Sequence, residues 1–322
     1  MQDKYLQYIE SIARGGTRQR ISRSQLGNVK IALPNTLKAQ QKIASFLDKK
    51  TTAINSIIEK KEKLIEKLKA YKKSVITEAV TKGKLGEKYI DKEGELVDEI
   101  EMKDSGVEWL GKIPKYYRQV KLKRISNVQL GKMLQNKKKP NYLHKNYLKA
   151  KNVFWNRLDL SEIEKMWFSR HEIKKYRLKE DDLLICEGGE VGRAAIWKDE
   201  IDECYIQNSI HRVRFLKNQN PKFYLYYFIF LGEIDYFNSI VNQVSIGHLT
   251  KEKLVDVLVI ESNLKIQNAI VDYLDKITKQ TNKIIKKTQQ SIQKYKAYKK
   301  SLIYEAVTGK IDLRDYNILK RG

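Results

Sequence analysis

The chain repeats itself once. Ala70–Ser74 read AYKKS and Glu78–Thr81 read EAVT, and both words return at Ala297–Ser301 and Glu305–Thr308, an offset of 227 residues. At that offset Asp48 and Lys49 match Asp275 and Lys276, Asn55 matches Asn282, and Ile57 and Ile58 match Ile284 and Ile285. A one-residue slip extends the register backwards, pairing Leu26 with Leu254, Ile12 with Ile240, Ser11 with Ser239 and Tyr8 with Tyr236. The first copy thus runs from before residue 10 to about residue 81. A single unrepeated block separates it from the second.

The best-matched part of each copy predicts a helix. Residues 37–80 and 264–307 contain neither Pro nor Gly. Ile54, Ile57, Leu64, Leu68, Tyr71 and Val75 recur at spacings of three, four and seven, an amphipathic stripe interrupted by Lys61. The second copy offers Ile277, Ile284, Tyr295, Tyr298 and Leu302. At 1.5 Å per residue each helix would be roughly 65 Å long, and so narrow a stripe needs a partner. The economical arrangement is two helices packed on each other as a coiled coil.

Between the helices the pattern changes twice. Residues 85–108 (LGEKYIDKEGELVDEIEMKDSGVE) hold nine acidic side chains against three lysines and read as an acidic surface linker. Residues 109–263 alternate short apolar runs with polar turns, and Ile206, Ile210, Val213 and Phe215 have strand spacing. Gly188, Gly189 and Gly192 mark a turn. This block predicts an α+β globule, a mixed strand and helix domain of its own. Residues 1–36 match the end of that globule, with Gly16–Leu26 lying on Val244–Leu254, and nothing in the chain before them matches its beginning. The expected order is a remnant of a first globule at 1–36, a long helix at 37–84, the linker, the complete globule at 109–263, a second long helix at 264–310 and a tail at 311–322.

Composition narrows the function. With 64 Lys and Arg against 39 Asp and Glu the formal net charge is +25, which favours a polyanion such as nucleic acid. No apolar run reaches the length of a membrane helix and no secretory leader is visible, so a cytoplasmic protein without membrane contact is expected. Cys186 and Cys204 lack metal-type spacing to each other or to the four histidines; two reduced thiols and no metal or cofactor are expected. There is no G-x-x-x-x-G-K-(S/T) phosphate loop and no adjacent pair of prolines of the kind an amino-methyltransferase uses. Asp181, Asp182, Glu187 and Glu190 remain as a possible carboxylate cluster for a metal-dependent nuclease, a reading set against simple structural acids.

Globule, long helix, globule, long helix is a plan that resembles the DNA specificity subunit of type I restriction-modification systems. DSGVEWLGKIP (Asp104–Pro114) followed by VKLKRI is similar to that family's usual start of a target-recognition domain. YLKAKNV (Tyr147–Val153) resembles its early strand, and DDLLICEGGEVGRAAIW (Asp181–Trp197) its strand and glycine turn. ALPNTLKAQQKIASFLD (Ala32–Asp48) resembles its junction into the central helix, with Asn35 where a second Pro is usual; Val259–Asp275 departs further, having no Pro. The first recognition domain is truncated relative to the family plan. The resemblance implies a non-catalytic subunit that binds a bipartite double-stranded DNA site. It also implies two long antiparallel helices, paired as a coiled coil, that set the spacing between half-sites and dock methyltransferase subunits and, through them, a restriction subunit.

Base contacts require forked donors and phosphate contacts require cations. The first candidates lie in the loop MLQNKKKPNYLHK, namely Asn136, Lys137, Lys138, Lys139, Asn141 and His144. A second set comprises Arg193 after the glycine turn and Gln207, Asn208, His211 and Arg212 in YIQNSIHR. Ser245 and His248 in QVSIGHL, with their N-terminal counterparts Thr17 and Arg20, complete it. Two further readings stay open: a silent recombination cassette or coiled-coil remnant, and a one-domain subunit that pairs with itself or with a separate first-domain chain covering Tyr5, Leu6, Ile9 and Ile12.

Overall fold

The computed structural model describes residues 8–13, 20–31, 33–241 and 247–316. In chain order it contains α1 (Arg23–Gly27), α2 (Leu37–Lys82), β1 (Lys84–Leu85), β2 (Lys88–Ile90), β3 (Leu96–Val97), β4 (Met102–Asp104), β5 (Lys112–Pro114), β6 (Arg118–Lys121), β7 (Ser126–Leu130) and β8 (Leu143–Leu148). There follow β9 (Val153–Phe154), β10 (Arg157–Leu158), β11 (Glu164–Phe168), α3 (Arg170–Tyr176), β12 (Leu183–Cys186), β13 (Ala194–Ile196), β14 (Cys204–Ile206) and β15 (Ile210–Phe215). The chain ends with α4 (Pro221–Glu233), α5 (Tyr236–Ile240), α6 (Lys251–Val255), β16 (Leu258–Glu261) and α7 (Leu264–Val307). The architecture is α+β. Contacts divide it into two units, residues 1–68 with 282–322 and residues 69–281.

In the first unit α2 and α7 run antiparallel. Phe46 meets Tyr316 edge-on at 5.3 Å, Asn55 Oδ1 accepts a hydrogen bond from Lys299 Nζ at 2.8 Å, and Glu62 lies 3.8 Å from Lys296. The seam is more polar than the sequence suggests. Along α7 the inward positions of this unit are Ile285, Thr288, Ile292, Tyr295, Lys299, Leu302 and Ala306, alternating steps of three and four, and the same spacing holds at Leu274, Thr278 and Thr281 within the second unit. Thr278 and Thr288 satisfy their hydroxyls on the carbonyls of Leu274 and Ile284, at 2.6 and 2.9 Å, so they can be buried without a partner from α2. Lys61 stays in the seam with its Nζ 5.8 Å above the Tyr295 ring. Leu64, Tyr71, Ile284 and Tyr298, expected inside, are exposed, and Ile65, Ile76, Ile285 and Ile292 occupy the interior instead. The apolar count alone placed the stripe one residue off because Thr and Lys fill seam positions.

The second unit is built on the sheet β13-β12-β15-β7, all antiparallel. Leu183 and Ile185 of β12 face one core with α4, while Leu184 and Cys186 face a second core with Leu148, Ile206 and Trp197. The second core is closed by the sheet β11-β8-β14, in which β8 and β14 run parallel. α4 (PKFYLYYFIFLGE) is apolar all round and is buried accordingly. Asn220 caps its start and Pro221 occupies the first turn, where its missing N–H costs nothing. α4 is tied to α7 by Tyr226, whose hydroxyl donates to Asp275 at 2.7 Å. Ile76, Ala79 and Val80 of α2 share that core with Ile266, Ile270 and Leu274 of α7.

The acidic stretch 85–108 carries its own secondary structure. It forms the small sheet β1-β2-β3 and pairs β4 with β5, and it buries Ile90 in the main core. Gly83, with φ +61° and the Tyr116 and Tyr117 hydroxyls within 3.4 Å of where a Cβ would stand, permits the turn out of α2.

Asp182 is fully buried and holds Arg214 by two bonds, Nε to Oδ1 at 2.7 Å and the terminal nitrogen to Oδ2 at 2.6 Å, while Oδ2 also accepts the Lys179 N–H. Replacing Asp182 with Ala strands the Lys179 donor and half-buried Arg214. Urea unfolding should show a loss of about 3 kcal/mol.

Candidate nucleic-acid interface

The loop between β7 and β8 leaves the sheet at Gly131, where there is no room for a side chain: a Cβ would lie 2.3 Å from the Gln207 carbonyl oxygen. Lys132 then turns inward to Glu172, at 2.5 Å, and lies over the rings of Tyr142 and Phe168. Most of the rest of the loop is exposed, Asn136, Lys137, Lys138 and Lys139 included, with Gln135 and Tyr142 half-buried. Its return is fixed by cross-strand pairing of His144 with Trp167, whose rings stack at 4.6 Å and 25°. Lys138 sits 5.8 Å over the Trp167 ring and Lys139 5.8 Å over Tyr142. Asn141 takes the left-handed conformation, φ +62°, which Asn tolerates at a turn. The structure therefore brings Asn136, Lys137, Lys138, Lys139, Asn141 and His144 into one basic and aromatic patch. Trp167 and Tyr142 were not singled out from sequence: the β8–β11 pairing brings Trp167 to the loop, and the positions of Lys132 and Lys139 over its ring bring in Tyr142.

The second set of candidates divides. β12, β15 and β7 place Cys186, Ile210 and Leu130 at one end of the sheet, so the Glu187–Arg193 turn and Gln207–Ser209 emerge together. His248 is exposed and stands over the same turn, its Nδ1 3.4 Å from where a Gly188 Cβ would be. Gln207 and Asn208 are half-buried there, with Gln207 Nε2 donating to Asn208 Oδ1 at 2.5 Å. β8 runs from the first patch to this end, finishing at Leu148 beside Ile206. Six extended residues separate the two by about 17 Å.

His211 and Arg212, expected at the surface, are instead buried in β15. His211 Nε2 donates to the Leu249 carbonyl at 2.6 Å, and Arg212 donates to the carbonyls of Lys175 and Arg177, both at 3.0 Å. The alternation of β15 did not reveal this because both of its faces are covered. Arg193 is mostly buried as well, donating to the Ala150 carbonyl at 2.8 Å with its guanidinium 4.9 Å over the Phe154 ring. Arg20 is exposed in the first unit; Thr17 and Ser245 lie outside the described residues. Of the N-terminal apolar residues, Ile9 and Ile12 are half-buried, and Tyr5 and Leu6 lie outside the described residues.

The carboxylates do not converge. Asp182 is engaged with Arg214, while Glu190 accepts from Trp155 Nε1 at 2.6 Å. Burial pushes the Glu187 carboxyl up, against the pull of His248. Among the described residues no group of three or more His, Cys, Asp or Glu could hold a metal ion, and no helix is long and apolar enough to cross a membrane. Cys186 and Cys204 are free and buried.

The model of the type I restriction modification DNA specificity domain matches residues 3–67 and 114–294. The chain belongs to that family. It is a family of DNA-recognition subunits that are themselves non-catalytic. Among solved structures, a chain from a study of complex assembly and conformational transition in the type I R-M system matches this specificity-family chain with a TM-score of 0.71 at 15% identity. The match covers 95% of this chain and 68% of that one. The HsdS subunit from Thermoanaerobacter tengcongensis matches with a TM-score of 0.51 at 16% identity, over 95% of this chain and 67% of that one. At such identities the likeness is one of fold. Among the curated proteins, none matches the chain.

Burial holds the His211 imidazole down at about 4, below its usual 6.5. The neutral ring is the folded form, so its contribution is complete above about pH 6.5 and is lost as pH falls towards 4. Titrating wild type and His211→Gln by chemical unfolding should show up to about 3 kcal/mol of pH-dependent stability over that window in wild type, missing from the variant.

Proposed function

We propose that this chain is the DNA-reading subunit of a type I restriction-modification complex, in which residues 109–263 bind one half of a bipartite duplex site. The exposed Lys137–Lys139 loop backed by the His144–Trp167 stack carries this reading. Cations held over aromatic rings keep their charge outward for phosphates, while Asn136, Asn141 and His144 supply donors and acceptors suited to base edges. The turn carrying His248, Gln207 and Asn208 forms a second contact. The interval of about 17 Å is near half a turn of duplex, so the two can reach a major groove and the adjoining minor groove on one face of the DNA.

The paired helices α2 and α7 serve in this proposal as the spacer between half-sites and as the dock for methyltransferase subunits, which in turn recruit a restriction subunit. A helix suits a spacer because its rise per residue is fixed, whereas a Gly/Ser linker holds no register.

Changing Lys137, Lys138 and Lys139 together to Ala should weaken duplex binding and flatten its dependence on salt, by about 0.9 in log–log slope for each phosphate no longer neutralised. Fluorescence anisotropy at several salt concentrations reads this out. An unchanged slope would remove the loop from the interface.

Adding four residues between Leu64 and Leu68 lengthens α2 by about 6 Å, roughly two base pairs. With the methyltransferase present, methylation mapping should show a changed spacer and unchanged half-sites. Methylation at the original spacing would defeat the spacer role.

A further inference from the structure

The β7–β8 loop holds an apolar pair that the lysine contact leaves unused. Met133 and Leu134 are 76% and 49% exposed, and Met133 is the most exposed large apolar side chain among the described residues. Single exposed apolar residues are ordinary on a protein surface. These two differ in being adjacent and in standing between fixed points of backbone. Before them, Gly131 N–H donates to the Ile210 carbonyl and Lys132 N–H to the Ile206 carbonyl, both at 3.0 Å, and the Lys132 carbonyl accepts from Asn208 N–H at 2.9 Å. The Lys132 side chain is tied down as well, on Glu172. After them, the Gln135 carbonyl accepts from Trp167 N–H at 3.0 Å, and Gln135 Nε2 donates to the Lys137 carbonyl at 2.7 Å. Only two residues separate these anchors, so the pair is presented on backbone that is already ordered, which lowers the cost of inserting it into a partner.

The surroundings specify that partner. From Gly131 to Tyr147 there is no Asp or Glu, and Lys137, Lys138, Lys139 and His144 are exposed. Glu172, the carboxylate that reaches the loop from α3, is engaged with Lys132. An apolar centre edged by cations matches a duplex, in which phosphates frame the apolar faces of stacked bases. A protein partner for the same surface would need an acidic rim.

We propose that Met133 and Leu134 form a wedge that enters the duplex beside the lysine loop and partly unstacks one base step. This rests on the reading of the chain as a DNA-recognition subunit. Met and Leu are among the side chains that fit between neighbouring base pairs, and the cost of unstacking is least at the flexible pyrimidine–purine steps TA and CA/TG. The wedge therefore reads sequence through deformability, at a step that no hydrogen-bonding side chain has to touch. It adds a specificity determinant to those supplied by Asn136, Asn141 and His144.

The test selects duplexes from a randomised pool with the full-length chain and follows their binding by fluorescence anisotropy at several salt concentrations. Met133→Ala with Leu134→Ala should weaken binding by about tenfold at an unchanged salt slope, because no phosphate contact is lost. Met133→Lys with Leu134→Lys should weaken it too, although it adds two cations. 2-Aminopurine replacing the adenine of one pyrimidine–purine step in the selected duplex should brighten on binding wild type and stay dark with the alanine variant. Both side chains are exposed, so an unchanged urea midpoint in each variant separates lost contact from lost fold. Unchanged affinity in the alanine variant overturns the proposal. So does tighter binding by the lysine variant, which would set the pair against phosphates, and so does 2-aminopurine that stays dark at every such step. Loss of methyltransferase binding with DNA binding intact overturns it as well, since the patch would then be a protein contact. If wild type binds no duplex, the DNA reading falls and the wedge with it. If the lysine-loop variant changes the salt slope while the Met133 and Leu134 variants bind like wild type, only the wedge falls.

Discussion

The burial of β12 on both faces places almost everything the second unit presents to solvent. A strand that is apolar on both sides has no alternation to set its register, and a slip of one residue would exchange Leu183 and Ile185 for Leu184 and Cys186 at little hydrophobic cost. The register is pinned by polar groups at the strand ends. Asp182 grips Arg214 at one end, and at the other the Glu187 N–H donates to the Ser209 carbonyl at 2.9 Å. Gly192 completes the turn, with φ +81° and the Phe237 ring filling the space a Cβ would need. These contacts aim the glycine turn and Gln207–Ser209 to the same side.

Charge in this unit is less uniform than its basic composition suggests. Lys145, Lys149 and Lys151 are matched to Glu203, Glu164 and Glu162, and hydrogen bonds from Lys149 and Tyr147 draw the Glu164 carboxyl down to about 2. Exposed pairs of this sort contribute little stability, but they cancel field. Lys138 and Lys139 rest on aromatic faces instead, where the ring stabilises the cation without neutralising it. Lys138 and Lys139 therefore keep their charge at the β7–β8 loop.

The sequence repeat made the two long helices legible, and the short alternating apolar runs between them made the α+β block so; the antiparallel packing was implied by the family resemblance. The seam was less so, since Thr278, Thr281 and Thr288 bury hydroxyls that a count of apolar residues treats as outward. At the site, the exposed lysine loop could be recognised from residue type, because nothing in a charge run depends on distant contacts. His211 and Arg212 could not. Their burial depends on Leu249 and on the Lys175–Arg177 carbonyls, which lie more than thirty positions away in the chain. Trp167 was hidden for the same reason, as its neighbour His144 is a cross-strand partner.

The two repeat copies separate what local sequence does from what tertiary cover does. α1 forms although Leu26 is exposed, because its ends are satisfied from within: Ser22 Oγ accepts the Gln25 N–H at 3.1 Å and Gln25 Oε1 accepts the Ser22 N–H at 2.9 Å, a reciprocal cap. The residues that follow have no such recourse. A strand's main-chain groups point sideways and need another strand, so Leu258–Glu261 becomes β16 beside β6 while Lys30 and Ile31, with the same apolar spacing, take no regular structure. A reciprocally capped turn thus closes on its own chain, whereas a strand needs a neighbour.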